Sequence, residues 1–481
     1  MEPWELTAVE LSNALQRREI SAVEALHSVL SRAAMVGEVI NPFSVDLHER
    51  ALHAAHAADA RLRHGSAGPL TGLPISAKDS QWLAGVESAH GSLSMRGFVP
   101  HGTAVVLERL EAAGAVIFAK TAVPEFCYTG ITESPVHGRT SNPWDLARTP
   151  GGSSGGAGAA VAAGIGPVSM GGDGGGSIRI PAAFCGVVGF KPTFGAVPRE
   201  PSAEAWKTLV SVGPMARCVA DVRLVMPFIT GADPRDQYSI DVPLLGQPAP
   251  APDELIVVAS EDLGMALVDA DVRSSFRCAL ASLRSAGVTV IDDSPGLPSS
   301  VETWAAIAAY EAYRAEHHLL RDHADTLTHQ ARGFIEFGEW LGEERYDEAL
   351  ERRREIHAAY VAMFERTHAT VLLTPTVGLE AFPHGSTYPK DLGGEPMDPV
   401  WRDWAPMLYD ANLCGFPAIA LPIGLGDDGL PVSLQVLGLN RTDGRTLAAA
   451  EAIEGVLGRF GRPLEPFRDR PIIEDVVTQA A

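Results

Sequence analysis

Between Thr149 and Pro181 the chain carries two dense clusters of glycine and serine, Gly151-Gly152-Ser153-Ser154-Gly155-Gly156 and Gly171-Gly172-Asp173-Gly174-Gly175-Gly176-Ser177. Glycine inside a helix or strand costs roughly 0.5–1 kcal/mol relative to alanine, so such density belongs where the backbone turns tightly or passes close to a ligand. Phosphate binding is one use of glycine-rich loops, but no Gly-Lys-Ser/Thr follows either cluster. Gly156-x-Gly158 is followed by Val161 where a dinucleotide fingerprint wants Gly or Ala. Backbone amides ahead of a serine have another use. Those of Gly174, Gly175, Gly176 and Ser177 can converge on the oxyanion that forms when the serine attacks a carbonyl.

Acyl transfer by serine needs a base, and none of the fifteen histidines lies in either cluster. Lysine is the alternative. Leu73-Pro74-Ile75-Ser76-Ala77-Lys78-Asp79 sets a lone lysine at the end of a short apolar strand. Burial there would disfavour the charged amine and leave it able to accept a proton. Taken singly, a strand-ending lysine and a glycine loop are each more often structural than catalytic.

The rest of the chain reads as an α/β fold, a mixed or parallel β-sheet flanked by helices. Helical periodicity covers Glu5 to Arg17, Ala22 to Met35 with Ser21 as N-cap, and Asp46 to Arg63, so residues 1–64 are expected to form an N-terminal helical layer of the same domain. After residue 70, short apolar strands alternate with helices: Leu73 to Ala77, helix Ala104 to Ala113, strand Ala115 to Ala119. A Pro-rich link, 243–253, precedes a strand at Glu254 to Ala259. Two helical stretches follow, Val301 to His323 and Tyr346 to Arg366, before strands resume at Thr370 to Thr374, Pro417 to Pro422 and Pro431 to Leu437. The main domain is placed at 65–470, with its core at about 70–235 and a variable region at about 236–370.

A net charge of −22 without Lys/Arg clusters argues against nucleic acid and anionic membranes as partners. No apolar run reaches the ~20 residues of a membrane span, and Met1 to Leu6 does not resemble a signal peptide, which places the protein in the cytoplasm. Five scattered cysteines without a Cys-x-x-Cys pair suggest reduced thiols. His53-x-x-His56 with His48, and His317, His318, His323 and His329, lack acidic partners or a His-Glu-x-x-His motif, so no metal and no cofactor are expected.

Together the pieces resemble the amidase signature family. Gly151 to Gly156 followed by Gly175-Gly176-Ser177-Ile178-Arg179-Ile180-Pro181-Ala182 is similar to that family's central motif, with the two serines 24 positions apart. Further matching pieces include Gly72-Leu73-Pro74 leading to Lys78-Asp79, Pro124-Glu125-Phe126, Gly189-x-Lys191-Pro192-Thr193, Asn412-x-x-Gly415-x-Pro417 and Gly429-Leu430-Pro431. The similarity runs from about residue 60 to 460 and is loose over 230–370. One departure is that Gly172 stands where the family usually has threonine, and Gly174 fills its variable position.

The resemblance implies an amidase signature fold, α/β with a mixed central β-sheet flanked by helices on both faces. It also implies an amidase working through an acyl-enzyme. Ser177 would be the nucleophile, Ser153, preceded by a cis peptide bond, the relay, and Lys78 the base. Ser154 would support them, and Asp173 and Arg179 would brace the loop. Cys127, Tyr128 and Thr129 fall where the family lines its acyl pocket, although Cys127 reads equally as an inert core thiol. Trp304, Tyr310, Phe334, Phe337, Trp401 and Tyr409 are pocket candidates that could equally be core. The expected partner is a small-molecule amide. The alternatives are a carbamate, anilide or ester hydrolase, or the glutaminase subunit of a tRNA-dependent amidotransferase, which would need companion chains. A homodimer is compatible with the family.

Overall fold

The structure, a computed structural model, describes residues 2–203, 205–244, 247–397 and 403–463. Its spine is an eleven-stranded mixed sheet. In chain order the strands are β1 (Phe43–Asp46), β2 (Pro74–Lys78), β3 (Val116–Thr121), β4 (Val168–Asp173), β5 (Val188–Lys191), β6 (Ser211–Ala216), β7 (Ile256–Ala259), β8 (Thr289–Asp292), β9 (Val371–Pro375), β10 (Ala418–Leu425) and β11 (Pro431–Leu437). Across the sheet they lie β1-β3-β2-β4-β6-β5-β10-β11-β9-β7-β8. Strands β3, β2 and β4 are parallel neighbours, as are β9, β7 and β8, and every pairing between β4 and β9 is antiparallel. β2, β3, β4 and β6 are buried at every residue, as strands covered by helices on both faces must be.

The α-helices are α1 (Ala8–Gln16), α2 (Ala22–Ile40), α3 (His48–Arg63), α4 (Val105–Ala112), α5 (Gly155–Ala162), α6 (Arg179–Cys185), α7 (Val219–Ile229), α8 (Ala270–Ser285), α9 (Val301–Asp322), α10 (His329–Thr367), α11 (Tyr409–Leu413) and α12 (Asp443–Leu457). Thr7 and Ser21 open α1 and α2 with capping boxes to Glu10 and Glu24, so both helices start where a side chain satisfies the free amides. α2 runs on to Ile40 and stops at Asn41, whose left-handed conformation ends it. The third expected helix begins late, because Phe43–Asp46 pairs antiparallel with β3 as an edge strand and Phe43 packs edge-on against Phe118 at 5.9 Å. Leu11, Leu26, Val29 and Leu62 share one hydrophobic cluster with Ile75, Val116 and Ile419 of the sheet.

Between β8 and β9 the chain leaves the sheet and returns, and α9 and α10 form a long hairpin there. α10 is much longer than the stretch expected from Tyr346. It absorbs a break at Gly342, whose φ of 69° interrupts the helical pattern on which periodicity depends. Among the described residues no helix is long and apolar enough to cross a membrane.

The packing of α12 on α7 carries a pH dependence. Glu454 accepts hydrogen bonds from the Val219 N–H at 3.0 and 3.3 Å, and burial pushes its carboxyl up from 4.5 to about 7 against that bond. The folded chain thus keeps a proton that the unfolded chain gives up. This contribution is complete below pH 4.5 and is lost as pH rises through 7. Wild type is expected to lose about 1–3 kcal/mol of stability between pH 5 and pH 8 through this group, and Glu454→Gln to remove that loss. Thermal denaturation of both proteins across this range measures it.

Candidate active site

Lys78 ends β2 between two flanking strands and is 1% exposed. Ser153 lies in the turn before α5 and is fully buried, whereas Ser177, in the loop from β4 to α6, is 8% exposed. The Lys78 Nζ sits 2.8 Å from Ser153 Oγ and donates to the Gly172 carbonyl at 3.1 Å. The peptide bond between Gly152 and Ser153 is cis. Ser154 ties the pieces together. Its N–H donates to the Ser177 carbonyl at 3.1 Å, and its hydroxyl meets both the N–H and the carbonyl of Gly172 at 3.2 Å. Among the described residues no hydrogen bond joins Ser177 Oγ to Ser153 Oγ. The resting contact between the two serine segments is the backbone bond from Ser154.

The loop that carries Ser177 hangs on a buried ion pair. Asp173 and Arg179 have fully buried side chains and meet through Nε–Oδ2 at 2.9 Å and Nη2–Oδ1 at 3.0 Å. The carboxylate also accepts from the Gly176 N–H at 2.7 Å and the Ile178 N–H at 3.2 Å. The remaining guanidinium donors go to the Leu408 carbonyl, Gln435 Oε1 and Asn412 Oδ1, and the Asn412 amide donates to the Asp173 carbonyl and carboxylate at 2.8 and 2.9 Å. Burial would push the Asp173 carboxyl up. The guanidinium outweighs burial and holds it well below the usual carboxylate range. Lys191, buried nearby, is pushed down to about 7 by burial and then by Arg179.

One of the amides expected to receive an oxyanion is engaged within the loop. The Gly176 N–H is committed to Asp173, so that residue braces the loop, while the amides of Gly174, Gly175 and Ser177 make no hydrogen bond among the described residues. Gly174 and Gly175 have a second reason to be glycine. A Cβ at 174 would stand 2.4 Å from Trp206 Cε3, and one at 175 would stand 2.5 Å from Trp304 Cζ2. The Trp304 Nε1 donates to the Gly174 carbonyl at 2.8 Å.

Those indoles begin an aromatic wall over the loop. Tyr128 stacks on Trp206 at 5.4 Å and leans on Phe334 at 5.0 Å. Trp304 stacks on Tyr409 at 4.3 Å and meets Trp206 edge-on at 5.6 Å. The Tyr128 hydroxyl donates to Glu316 of α9. Of the other residues singled out in the sequence, Cys127 is buried with its Sγ 3.2 Å from His90 Nε2, and the Thr129 hydroxyl donates to the Ile131 carbonyl at 3.2 Å. Tyr310 packs on Tyr346 inside the hairpin, Phe337 stacks on exposed Trp340, and Trp401 lies outside the described residues. Trp206 was missed by sequence reasoning. The signal for it was indirect: an extra glycine at 174, which leaves room for a large ring. Among the described residues no group of His, Cys, Asp and Glu is arranged to hold a metal.

Known proteins share this fold. The family model described as Amidase matches residues 24–447. The chain belongs to the amidase signature family. Among curated relatives, a Glutamyl-tRNA(Gln) amidotransferase subunit of Synechococcus sp. is 36% identical over 474 residues, covering 92% of this chain and 90% of the relative. A solved amidase superposes with a TM-score of 0.84 at 30% identity, covering 94% of this chain and 100% of the other. A bacterial aryl acylamidase superposes with a TM-score of 0.86 at 25% identity, covering 97% and 99%. The protein is accordingly an enzyme of the amidase type, acting on carbon–nitrogen bonds.

Removing one partner of a buried ion pair leaves an uncompensated charge and costs ~3–5 kcal/mol. Arg179→Gln is therefore expected to lower stability by about that amount and to loosen the Ser177 loop. Chemical denaturation, with the rate of Ser177 labelling measured on the fraction still folded, reads both effects.

Proposed function

We propose that the protein is a stand-alone amidase that cleaves the C–N bond of a small carboxylic amide through an acyl-enzyme on Ser177. The observation that carries this reading is the Lys78 amine 2.8 Å from the buried Ser153 hydroxyl, with the Ser177 segment bonded alongside. Unprotonated Lys78 takes the proton of Ser153 as Ser153 takes that of Ser177, and Ser177 Oγ bonds to the carbonyl carbon. The amides of Gly174, Gly175 and Ser177 receive the oxyanion. Its collapse breaks the C–N bond, and the proton returns along the same chain to the departing amine. Water then attacks the ester and releases the acid.

Tyr128, Trp206, Trp304, Phe334 and Tyr409 pack as an aromatic wall over the loop that carries Ser177, which supports a substrate with an aromatic or apolar acyl group. Cys127 and Thr129 flank Tyr128 at the edge of that wall.

A second reading is favoured by the curated relatives, which are amidotransferase subunits. On it, the chain would be the glutaminase member of a complex. Hydrolysis of glutamine in preference to aryl and alkyl amides, together with co-purification of smaller companion chains, would replace the first reading with this one.

Wild type, Ser177→Ala and Lys78→Ala are to be compared on a panel of primary amides, anilides, carbamates and esters at pH 8 to 9. Turnover is expected from wild type alone, with each substitution lowering kcat by at least about a thousandfold. Full activity in Ser177→Ala or in Lys78→Ala would overturn the mechanism.

A further inference from the structure

The variable helical hairpin reaches the catalytic loop by a route that no sequence motif marks. Residues 205–210 lead into β6, whose Ser211 pairs with Asp173 at the end of β4. In the middle of that segment Thr208 is gripped from both arms of the hairpin. Glu311 of α9 accepts from the Thr208 N–H at 3.1 Å and from its hydroxyl at 2.6 Å. Arg353 of α10 donates through Nη1 to the Thr208 hydroxyl at 3.1 Å and through Nη2 to its carbonyl at 3.0 Å. The third Arg353 donor, Nε, goes to the Leu413 carbonyl, and the Tyr346 hydroxyl donates to Glu311 at 3.3 Å. Every polar group of Thr208 is thus taken by the hairpin.

What stands on either side of these anchor points explains why the grip matters. Two residues before Thr208 is Trp206, whose ring fills the space over Gly174. One residue after it is Leu209, whose carbonyl accepts from Asn412 at 3.4 Å. Asn412, directly before the Leu413 that Arg353 also holds, binds the carbonyl and carboxylate of Asp173. Arg353 therefore joins the two backbone segments between which the Asp173 end of the loop is seated. α9 makes a second attachment through Trp304, seven residues before Glu311, which bonds the Gly174 carbonyl.

We propose that Glu311 and Arg353 are positioning residues which, by clamping Thr208 and Leu413 from the two arms of the hairpin, hold Trp206 and the Gly174–Ser177 loop in the geometry that receives the oxyanion. The inference rests on Ser177 being the nucleophile. Neither residue touches the reacting atoms. Both act by fixing backbone, and a displacement of about 1 Å in such a site costs on the order of a hundredfold in rate.

The test uses the full-length protein and a fluorophosphonate, which bonds phosphorus to Ser177 Oγ and releases fluoride, so no knowledge of the natural substrate is needed. Labelling of wild type but not of Ser177→Ala establishes the nucleophile independently of the clamp. Absence of wild-type labelling removes both the functional reading and this inference.

Thr208→Val keeps the volume and the N–H and loses the hydroxyl bonds. It is expected to slow labelling roughly tenfold to a hundredfold, and to lower kcat on whichever panel amide is turned over while KM moves less than about threefold. Arg353→Gln is expected to match it, with Arg353→Lys recovering part of the rate. The Thr208→Val/Arg353→Gln double variant is expected to be little worse than either single one, because both break one unit. Should Thr208→Val fail to fold, Glu311→Gln against Glu311→Asp gives the same comparison. Labelling rates within twofold of wild type on folded protein, or losses that follow melting temperature alone and simply add, would overturn the proposal.

Discussion

The candidate active site depends on one buried contact, the ion pair between Asp173 and Arg179. Two charges taken fully out of water are tolerable only when each is matched and their remaining hydrogen-bonding capacity is filled. Here the guanidinium is filled from far away in the chain, by Leu408, Asn412 and Gln435, while the neighbouring loop amides of Gly176 and Ile178 close around the carboxylate. The same contact therefore stabilises the core and shapes the loop that carries Ser177. With Asp173 at the end of a central strand, the loop inherits the rigidity of the sheet.

A division of labour follows. The three residues of the proposed proton chain come from the first half of the sequence, from the end of β2, the turn before α5 and the loop after β4. Much of the material packed around them comes from the second half. Trp304 and Phe334 arrive from the hairpin and Tyr409 from the short α11, and Arg353 and Glu311 reach in to hold Thr208. Chemistry is supplied by one half and its environment largely by the other. A family with one reaction and many substrates suits that arrangement, since the environment can change while the proton chain stays.

Much of this was legible in the residues. Lys78, Ser153 and Ser177 stand in stretches that resemble the amidase signature motifs, the structure brings Lys78 beside Ser153, and the apolar run of Pro431–Leu437 was found as a strand over those residues. Asp173 and Arg179 were expected to brace the loop, and their ion pair ties its two ends together. What escaped were matters of distance in sequence. That Gly176 gives its amide to Asp173 depends on the turn the loop takes, which composition does not specify. Trp206, Thr208, Glu311 and Arg353 sit in unremarkable local contexts and matter only because folding brings 208 beside 311 and 353. The edge strand Phe43–Asp46 and the helical segment that precedes the break at Gly342 were missed for a related reason, because tertiary pairing and a single kink overrode the local period.

The long sequence separation of the partners around Arg179 bears on how the protein is made. A ribosome that has released residues 78, 153 and 177 has delivered every group of the proposed proton chain, yet the donors and acceptors that fix the loop are still more than two hundred residues from emergence. The antiparallel pairing of β5 with β10 is equally remote. Contacts of this span form late, after local helices. During synthesis the proposed nucleophile therefore lacks the contacts from Leu408, Asn412 and Gln435 that fix its loop, and a chain truncated before them is expected to be inert toward amides.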